Sequence, residues 1–175
     1  MKTIITLIFF IGSFYQSKAI DINQLRKDYI LSVEDSDKAD ELCEKLEAVK
    51  NPDAIILAYL GSVQAIKGKH AWNPVNKLSY LKQGFATIDK GIAKDPNQLE
   101  VRFLRFSLQY YVPAFLGYSK NLIADKNKIV ALIKNTTASD LKMSKDVFKN
   151  IINFMINSKK CNAQEIAILK KALNG

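Results

Sequence analysis

A narrow polar stripe runs along one of the most apolar segments of the chain. With residues placed about every 100° around a helix, its side chains occupy an arc of about 60°. They are Gln98, Arg102, Arg105 and Gln109. An arginine guanidinium donates paired hydrogen bonds that match a carboxylate or a phosphate. The stripe is therefore a candidate site for a protein or peptide partner with acidic groups.

The same two arginines have an alternative role inside the fold. An unpaired charge in an apolar interior is very costly, so Arg102 and Arg105 must pair or face water. Carboxylates such as Asp53, Asp89 and Glu100 are available for pairing. Buried charges are usually paired within the fold. We therefore favour internal pairing and keep the partner groove as the alternative.

The lone histidine and the lone tryptophan fall in one predicted connection, residues 68–73. His70 and Trp72 could form the lip of a pocket. We favour the alternative in which Trp72 folds back into the core and His70 is exposed, because large aromatic residues are buried on average. Tyr59 joins Trp72 among the candidate partner-binding residues, whereas the aromatic residues of 110–118 are expected to pack.

Signatures of catalysis and metal binding are absent from the sequence. It contains no GxSxG, HExxH, P-loop or GxGxxG motif. Cys43 and Cys161 form no CxxC, and His70 completes no recognisable metal-ligand spacing with them. We predict a protein that is not an enzyme and uses no cofactor. Carboxylate pairs that form only in the folded chain stay open.

A disulfide between the two cysteines also stays open. An oxidising compartment would permit it, but the two Cα atoms would have to approach within about 7 Å. Cys43 lies between Leu42 and Leu46 on an apolar helical face, where a free cysteine packs as a small hydrophobe. Two free thiols are the favoured state.

Helices are the elements that must position these residues. Apolar residues recur every three or four positions, and strand signals are few. The pattern predicts an all-α fold of seven to eight helices, arranged as an antiparallel helix-hairpin array in one domain over residues 20–175. Predicted helices cover about 37–50, 52–67, 74–92, 97–112, 122–134, 144–157 and 163–173. The helix over 97–112 is apolar over most of its circumference and should lie at the centre of the fold.

Capping residues mark several helix starts. Asn51 is placed to cap the helix over 52–67, and Asn73 precedes a proline suited to the first helical turn. In the last helix, Asn162 and Glu165 have the spacing of a capping box.

The spacing of small and large residues in the helix after Asn73 resembles the second helix of a tetratricopeptide repeat. Gly84 and Gly91 would let two helices approach closely, Ile88 would fill the core, and Pro96 would close the unit. The preceding helix, with Tyr59 to Gly61, is similar to the first helix of such a repeat.

This resemblance covers about residues 53–111. The connection over 68–73 departs from it, because it is longer than the tight turn of these repeats. The resemblance implies a surface for a partner, lined by the first helix of each hairpin.

Residues 73–80, 100–105 and 115–118 are also similar to a group of small exported proteins from Bacteroidota. That group has no assigned activity, so the resemblance implies a compartment and a fold and no chemistry.

The first 19 residues are typical of a cleavable secretory signal peptide. Lys2 is followed by an apolar run that is too short to span a bilayer. Small residues at Ser17 and Ala19 predict cleavage before Ile20. We therefore expect an exported protein, periplasmic or secreted, with no membrane anchor after cleavage.

The net charge of the chain is +9, and removal of Lys2 and Lys18 with the signal lowers it to +7. The excess is mostly scattered lysine. A compact basic stripe interleaved with aromatic residues is missing, which argues against a nucleic-acid partner.

Three functions remain open. The favoured one is an interaction module that binds a protein or peptide in a groove near the central helix. The second is a small-ligand carrier with an apolar cavity between helices. The third is an enzyme of unrecognised type, which clustered carboxylates with raised pKa values would support.

Overall fold

The computed structural model describes residues 20–136, 139–141 and 143–174. The predicted signal peptide, residues 1–19, lies outside these ranges and stays a prediction. Within them the chain is all-helical, with no strand. The eight α-helices are α1 (Ile22–Glu34), α2 (Ser36–Glu47), α3 (Ala54–His70), α4 (Pro74–Lys94), α5 (Leu99–Tyr111), α6 (Leu122–Asn135), α7 (Lys145–Asn157) and α8 (Ala163–Leu173). A short 3₁₀ turn, Ala114–Leu116, follows α5.

The helices form successive hairpins, α1–α2, α3–α4, α5–α6 and α7–α8. The first helices of neighbouring hairpins also touch, since α3 contacts both α1 and α5. Further along the array, α6 packs against α8. The all-α hairpin array predicted from the periodicity is confirmed.

Two hydrophobic cores share the helix α5. The first core lies among α1 to α4 and takes Val101, Leu104 and Leu108 from α5. The second lies among α5 to α8 and takes Leu99 and Phe106 from the other side of the same helix. The central position predicted for this helix is therefore confirmed.

The hairpin of α3 and α4 closes on glycine. A Cβ atom added to Gly84 would clash with the carbonyl oxygen of Gly61 and would lie 2.8 Å from the backbone nitrogen of Ala65. A Cβ added to Gly91 would lie 2.9 Å from the carbonyl oxygen of Ala54. Both glycines thus allow the two backbones to approach, as their spacing predicted.

The end of α3 corrects one prediction. Gly68 does not stop the helix, which continues to His70. A Cβ at Gly68 would lie 3.0 Å from the carbonyl oxygen of Lys77, so this glycine also serves close helix packing. The connection to α4 is therefore only residues 71–73. The long connection predicted here is wrong.

The predicted caps are mostly confirmed. Asn73 accepts a hydrogen bond from the backbone nitrogen of Val75, and Asn162 forms the full capping box with Glu165. At the start of α3 the cap is Asp53 instead of Asn51. Asn51 has a φ of 53° and lies in the turn before the helix.

Candidate functional site

The polar stripe on α5 is paired inside the fold. Arg105 donates from Nε to Asp125 Oδ2 at 2.7 Å and from Nη2 to Asp125 Oδ1 at 2.7 Å. Its third bond runs from Nη1 to Asp89 Oδ1 at 2.6 Å. The side chain of Asp125 is 0% exposed and that of Arg105 is 8% exposed. Burial alone would lower the pKa of Arg105, but its bonds to the two carboxylates raise it, so the guanidinium stays charged.

Two more residues of the stripe converge on the same carboxylate. Arg102 Nη1 lies 3.0 Å from Asp125 Oδ1, and its Nε donates to the carbonyl oxygen of Pro96 at 2.9 Å. Gln109 Nε2 donates to Asp125 Oδ2 at 2.9 Å, and its Oε1 accepts from the backbone nitrogen of Asn121. Asp125 is the acceptor at the centre of this cluster. The favoured internal pairing is confirmed, and neither guanidinium is left free for an acidic partner.

Of the carboxylates suggested by the sequence, only Asp89 pairs with this stripe. Asp53 caps α3, and Glu100 pairs elsewhere. The main partner, Asp125, was missed. A signal existed, because Asp125 is spaced by four and eight residues from the buried Ile129 and Ile133, so all three share one face of α6.

A second charged cluster joins the first three odd-numbered helices. Arg26 of α1 donates from Nε and Nη2 to Glu100 of α5, at 2.8 and 2.6 Å. Tyr59 of α3 donates its hydroxyl to the same carboxylate at 2.6 Å. Burial first, and then the charge of Glu100, raise the pKa of Tyr59 far above its ordinary value. Tyr59 is therefore a buried donor within this cluster and does not offer its side chain to solvent.

Aromatic contacts continue this row of contacts between helices along the array. Tyr29 of α1 meets Tyr59 edge to face, with ring centroids 5.3 Å apart. At the other end, Phe154 of α7 lies 5.3 Å from Phe103 and 5.5 and 5.9 Å from the two tyrosines that end α5. We call this row of residues the first-helix face; it consists of Arg26, Tyr29, Ile30, Tyr59, Glu100, Phe103, Tyr110, Tyr111 and Phe154, of which Tyr59 and Glu100 are buried beneath the surface.

Part of the first-helix face is open to solvent. Tyr111 is 72% exposed, Tyr110 is 37% exposed, and Ile30 is 68% exposed. The prediction that the aromatic residues of 110–118 pack is wrong for Tyr111 and for Phe115, which is 87% exposed.

A cavity of about 440 Å³ lies at the amino end of α5. Gln98, a residue of the predicted stripe, lines it together with Arg26 and Glu100. Residues 140, 141 and 143, which precede α7, form its other wall. Its lining is about equally polar and apolar. The start of α1 contributes Asn23, and the turn before α5 contributes Asp95 and Asn97.

The structure places Trp72 and His70 at the lip of a pocket, which was the alternative to burial of Trp72 in the core. Trp72 is 98% exposed, so the predicted core plug is wrong. This residue precedes the cap Asn73, where an apolar side chain normally packs against the fourth helical residue. That residue is Lys77, and no such contact is available.

His70 is half-buried instead of exposed, because its Nε2 lies 2.9 Å from the carbonyl oxygen of Ser32. His70 and Trp72 both line a cavity of about 270 Å³ between α2, α3 and α4. The pocket lip considered from the sequence is thus present.

The cysteines are free thiols in different cores, as favoured. Cys43 packs in the first core and Cys161 against the second. Among the described residues, no group of three or more His, Cys, Asp or Glu could hold a metal ion. Over the same ranges, no helix is long and apolar enough to cross a membrane.

A scan against protein-family models, a search of curated proteins and a search of solved structures each found no match for this chain. The resemblances to tetratricopeptide repeats and to exported Bacteroidota proteins therefore stay predictions.

Proposed function

We propose that this chain is an exported helical-repeat interaction module that binds a protein or peptide segment across the first-helix face. The observation that carries the proposal is the continuity of that face. Side-chain contacts join α1 to α3, α3 to α5, and α5 to α7. In a helical-repeat array, the first helices of the hairpins form one extended surface, which is the part such proteins use for binding.

The exposed tyrosines give this surface its binding chemistry. Tyr110 and Tyr111 stand edge to face, 5.2 Å apart, and both contact Phe154. Tyrosine supplies a large rigid ring and a hydroxyl group, and it is enriched at interface positions that contribute most to affinity. These rings are held by neighbouring rings before any partner arrives, which lowers the entropy lost on binding.

The size of the face suits an extended segment. The 13 residues of α5 span about 20 Å at 1.5 Å per residue. A stretch of about six extended residues covers that length. The cavity at the amino end of α5 would take one polar side chain, and the tyrosines would contact apolar side chains at the other end.

The acidic character of the partner rests on net charge alone. The arginines of the polar stripe are occupied by Asp125 and Asp89. The excess of lysine over the mature chain still favours approach of an acidic partner through long-range attraction. This attraction should weaken with added salt.

Site-specific photo-crosslinking tests the proposal. A benzoylphenylalanine at Tyr111 should give a discrete adduct with one partner in the exported fraction of the source cells. The matched control is the same probe at Ala86, an exposed residue of α4, which should give none. Adding Tyr110→Ala should reduce the adduct at position 111. Equal adducts at both positions, or none at position 111, would contradict the proposal.

Export is tested on the same material. Amino-terminal sequencing of the exported protein should begin at Ile20, and the protein should be recovered free of membrane. A retained Met1 would contradict the predicted cleavage.

A further inference from the structure

The cavity beside Trp72 is built from three helices and shares no residue with the first-helix face. Ser36, Ala39 and Asp40 come from α2, Lys67 and His70 from α3, and Asn76 and Tyr80 from α4. The connection that carries Trp72 closes one side. The indole stacks on no other ring of the described residues and is almost fully solvated.

The polar groups of this cavity are held in place, yet keep unused hydrogen-bonding capacity. Lys67 Nζ lies 2.8 Å from Asp40 Oδ1 and 5.3 Å from the centre of the Tyr80 ring. Asn73 uses its side-chain oxygen to cap α4, which leaves its amide NH₂ group. Asn76 is exposed at the rim. Charged and neutral hydrogen-bonding groups, both donors and acceptors, therefore surround the cavity.

The charge of the cavity disfavours an ionic ligand. Asp40 and Lys67 neutralise each other, so an anion would have to displace the carboxylate and a cation would have to displace the ammonium. A neutral ligand that carries several hydroxyl groups can use the remaining donors and acceptors without breaking the pair.

The volume limits the ligand to a single ring. At about 270 Å³, the cavity lies just below the range of about 300–1,000 Å³ that is usual for drug-sized ligands. One face of a pyranose ring consists of C–H groups, whereas its edge carries hydroxyl groups. The flat exposed indole of Trp72 matches the C–H face of the sugar. The amide, carboxylate, ammonium and phenol groups at the rim match its hydroxyl edge.

We propose that the cavity beside Trp72 binds one neutral pyranose unit, with the sugar ring on the indole and its hydroxyl groups bonded to Asp40, Lys67 and Asn76. Few non-hydrogen atoms are buried by one ring, so the dissociation constant is expected at about 1–10 mM.

Tryptophan fluorescence tests this directly, because Trp72 is the single tryptophan of the chain. Methyl glycosides of glucose, galactose, mannose and N-acetylglucosamine are titrated while the indole emission is recorded. At least one should give a saturable change in emission. Glycerol at equal concentration, which has hydroxyl groups and no ring, should not.

Variants link the signal to the cavity. Asn76→Ala and Asp40→Asn should each raise the dissociation constant about fivefold or more, the value of one lost hydrogen bond. Asn127→Ala, at an exposed position of α6, is the matched control and should leave it unchanged. Trp72→Ala should abolish binding in calorimetry while leaving the circular dichroism spectrum as in the parent protein.

The trisaccharide of the sugar that binds identifies the source. Equal affinity for the trisaccharide indicates the terminal unit of a glycan, and binding of the monosaccharide alone indicates a free sugar. The proposal is overturned if no glycoside gives a saturable change, if glycerol gives the same change, or if the two cavity variants bind as tightly as the parent.

Discussion

The α3–α4 hairpin and the α5–α6 hairpin both bury the surface between their helices, but they do so through different chemistry. In the first, glycines bring two backbones into direct contact, and the interface is a matter of shape. In the second, one buried carboxylate, Asp125, accepts hydrogen bonds from Arg102, Arg105 and Gln109. The glycine interface should therefore be sensitive to added atoms, and the charged interface to removed ones.

The two interfaces also restrict the relative positions of their helices in different ways. Close packing of apolar atoms is non-directional, so small shifts along α3 and α4 are resisted mainly by the close backbone approach at Gly61 and Gly84. Hydrogen bonds to a carboxylate are directional, so the Asp125 cluster fixes how far α6 slides along α5. Whether a buried charged cluster also adds net stability is a separate question, since apolar replacements are often as stable.

The largest expected effect is on the glycine interface. Gly84→Leu should lower the free energy of unfolding by about 3 kcal/mol or more, because even its Cβ would clash with the backbone of α3 and the rest of the side chain has no space. Urea unfolding followed by circular dichroism measures the loss. Ala86→Leu, exposed on the same helix, is the control and should change stability by less than about 0.5 kcal/mol. Parent-like stability of Gly84→Leu would refute the close crossing.

On the charged interface, Arg105→Gln should cost about 3 kcal/mol, because it removes two of the hydrogen-bond donors of the buried Asp125. The expected value is at the lower end of the range for broken buried pairs, since Arg102 and Gln109 still contact Asp125. Combining Arg105→Gln with Asp125→Asn should cost less than the sum of the two single variants, because the two side chains bond to each other directly. Urea melts of the two single variants and the double variant measure this, and additive costs would contradict the pairing argument.

A milder change at the glycine interface sharpens the comparison. Gly91→Ala places its Cβ 2.9 Å from the carbonyl oxygen of Ala54 and 3.4 Å from the backbone nitrogen of Ala58. Alanine also gains up to about 1 kcal/mol in helix propensity over glycine. The net cost should be about 1 kcal/mol or less, well below that of Gly84→Leu. A cost equal to that of Gly84→Leu would mean that the approach is equally tight along the whole hairpin.

The two halves of the molecule should lose stability at opposite ends of the pH scale, the first core at high pH and the contacts of Glu165 at low pH. Burial raises the pKa of Tyr29 from 10.0 to about 12 and that of Cys43 from 9.0 to about 11. Both groups lie in or against the first core. Their protonated forms are favoured by folding, so this stabilisation is complete below pH 9 and is lost progressively between pH 9 and 12.

In the second half, burial alone would raise the pKa of Glu165, but its bonds from Lys126 Nζ and the backbone of Asn162 lower it. That contribution is present above pH 4.5 and is lost as the pH falls through the lowered value. Urea midpoints measured from pH 3 to pH 12 test both directions. Cys43→Ala should flatten the decline between pH 9 and 11, and an unchanged decline would exclude the thiol as its source.

The smallest expected effect on stability is at the first-helix face. Tyr111→Ala should change the free energy of unfolding by less than about 0.5 kcal/mol, because most of this side chain is in water. The same change should abolish the partner adduct, captured in this case with the probe at Tyr110. A large loss of stability would show that the ring belongs to the core, and the binding role would then lose its support.

Most of the helices could be predicted from the sequence, because their ends carry local signals. Asn73, Ser144 and Asn162 cap α4, α7 and α8 through bonds that reach only two or three residues along the chain. The end of α3 could not, because Gly68 has the same local pattern as a helix stop. Its actual role depends on the backbone of α4, which is a tertiary contact.

The candidate site was harder to predict from the sequence for the same reason, because it also depends on tertiary contacts. The arc formed by Arg102, Arg105 and Gln109 follows from helix geometry alone, and so does the need for a partner charge. The spacing of Asp125 from Ile129 and Ile133 places it on the buried face of α6, but its pairing with Arg105 depends on the angle at which α6 packs against α5, which no local pattern encodes. Trp72 was misplaced because average burial was applied to a residue whose packing position holds Lys77.

Because α5 supplies side chains to both cores, no cut through the array gives two complete pieces. A fragment that ends at Lys94 would leave the first core without Val101, Leu104 and Leu108. A fragment that begins after Tyr111 would leave the second without Leu99 and Phe106. Each of the two cores therefore needs α5 to be complete, and the array of described helices should unfold in a single cooperative transition, because its two halves share that helix.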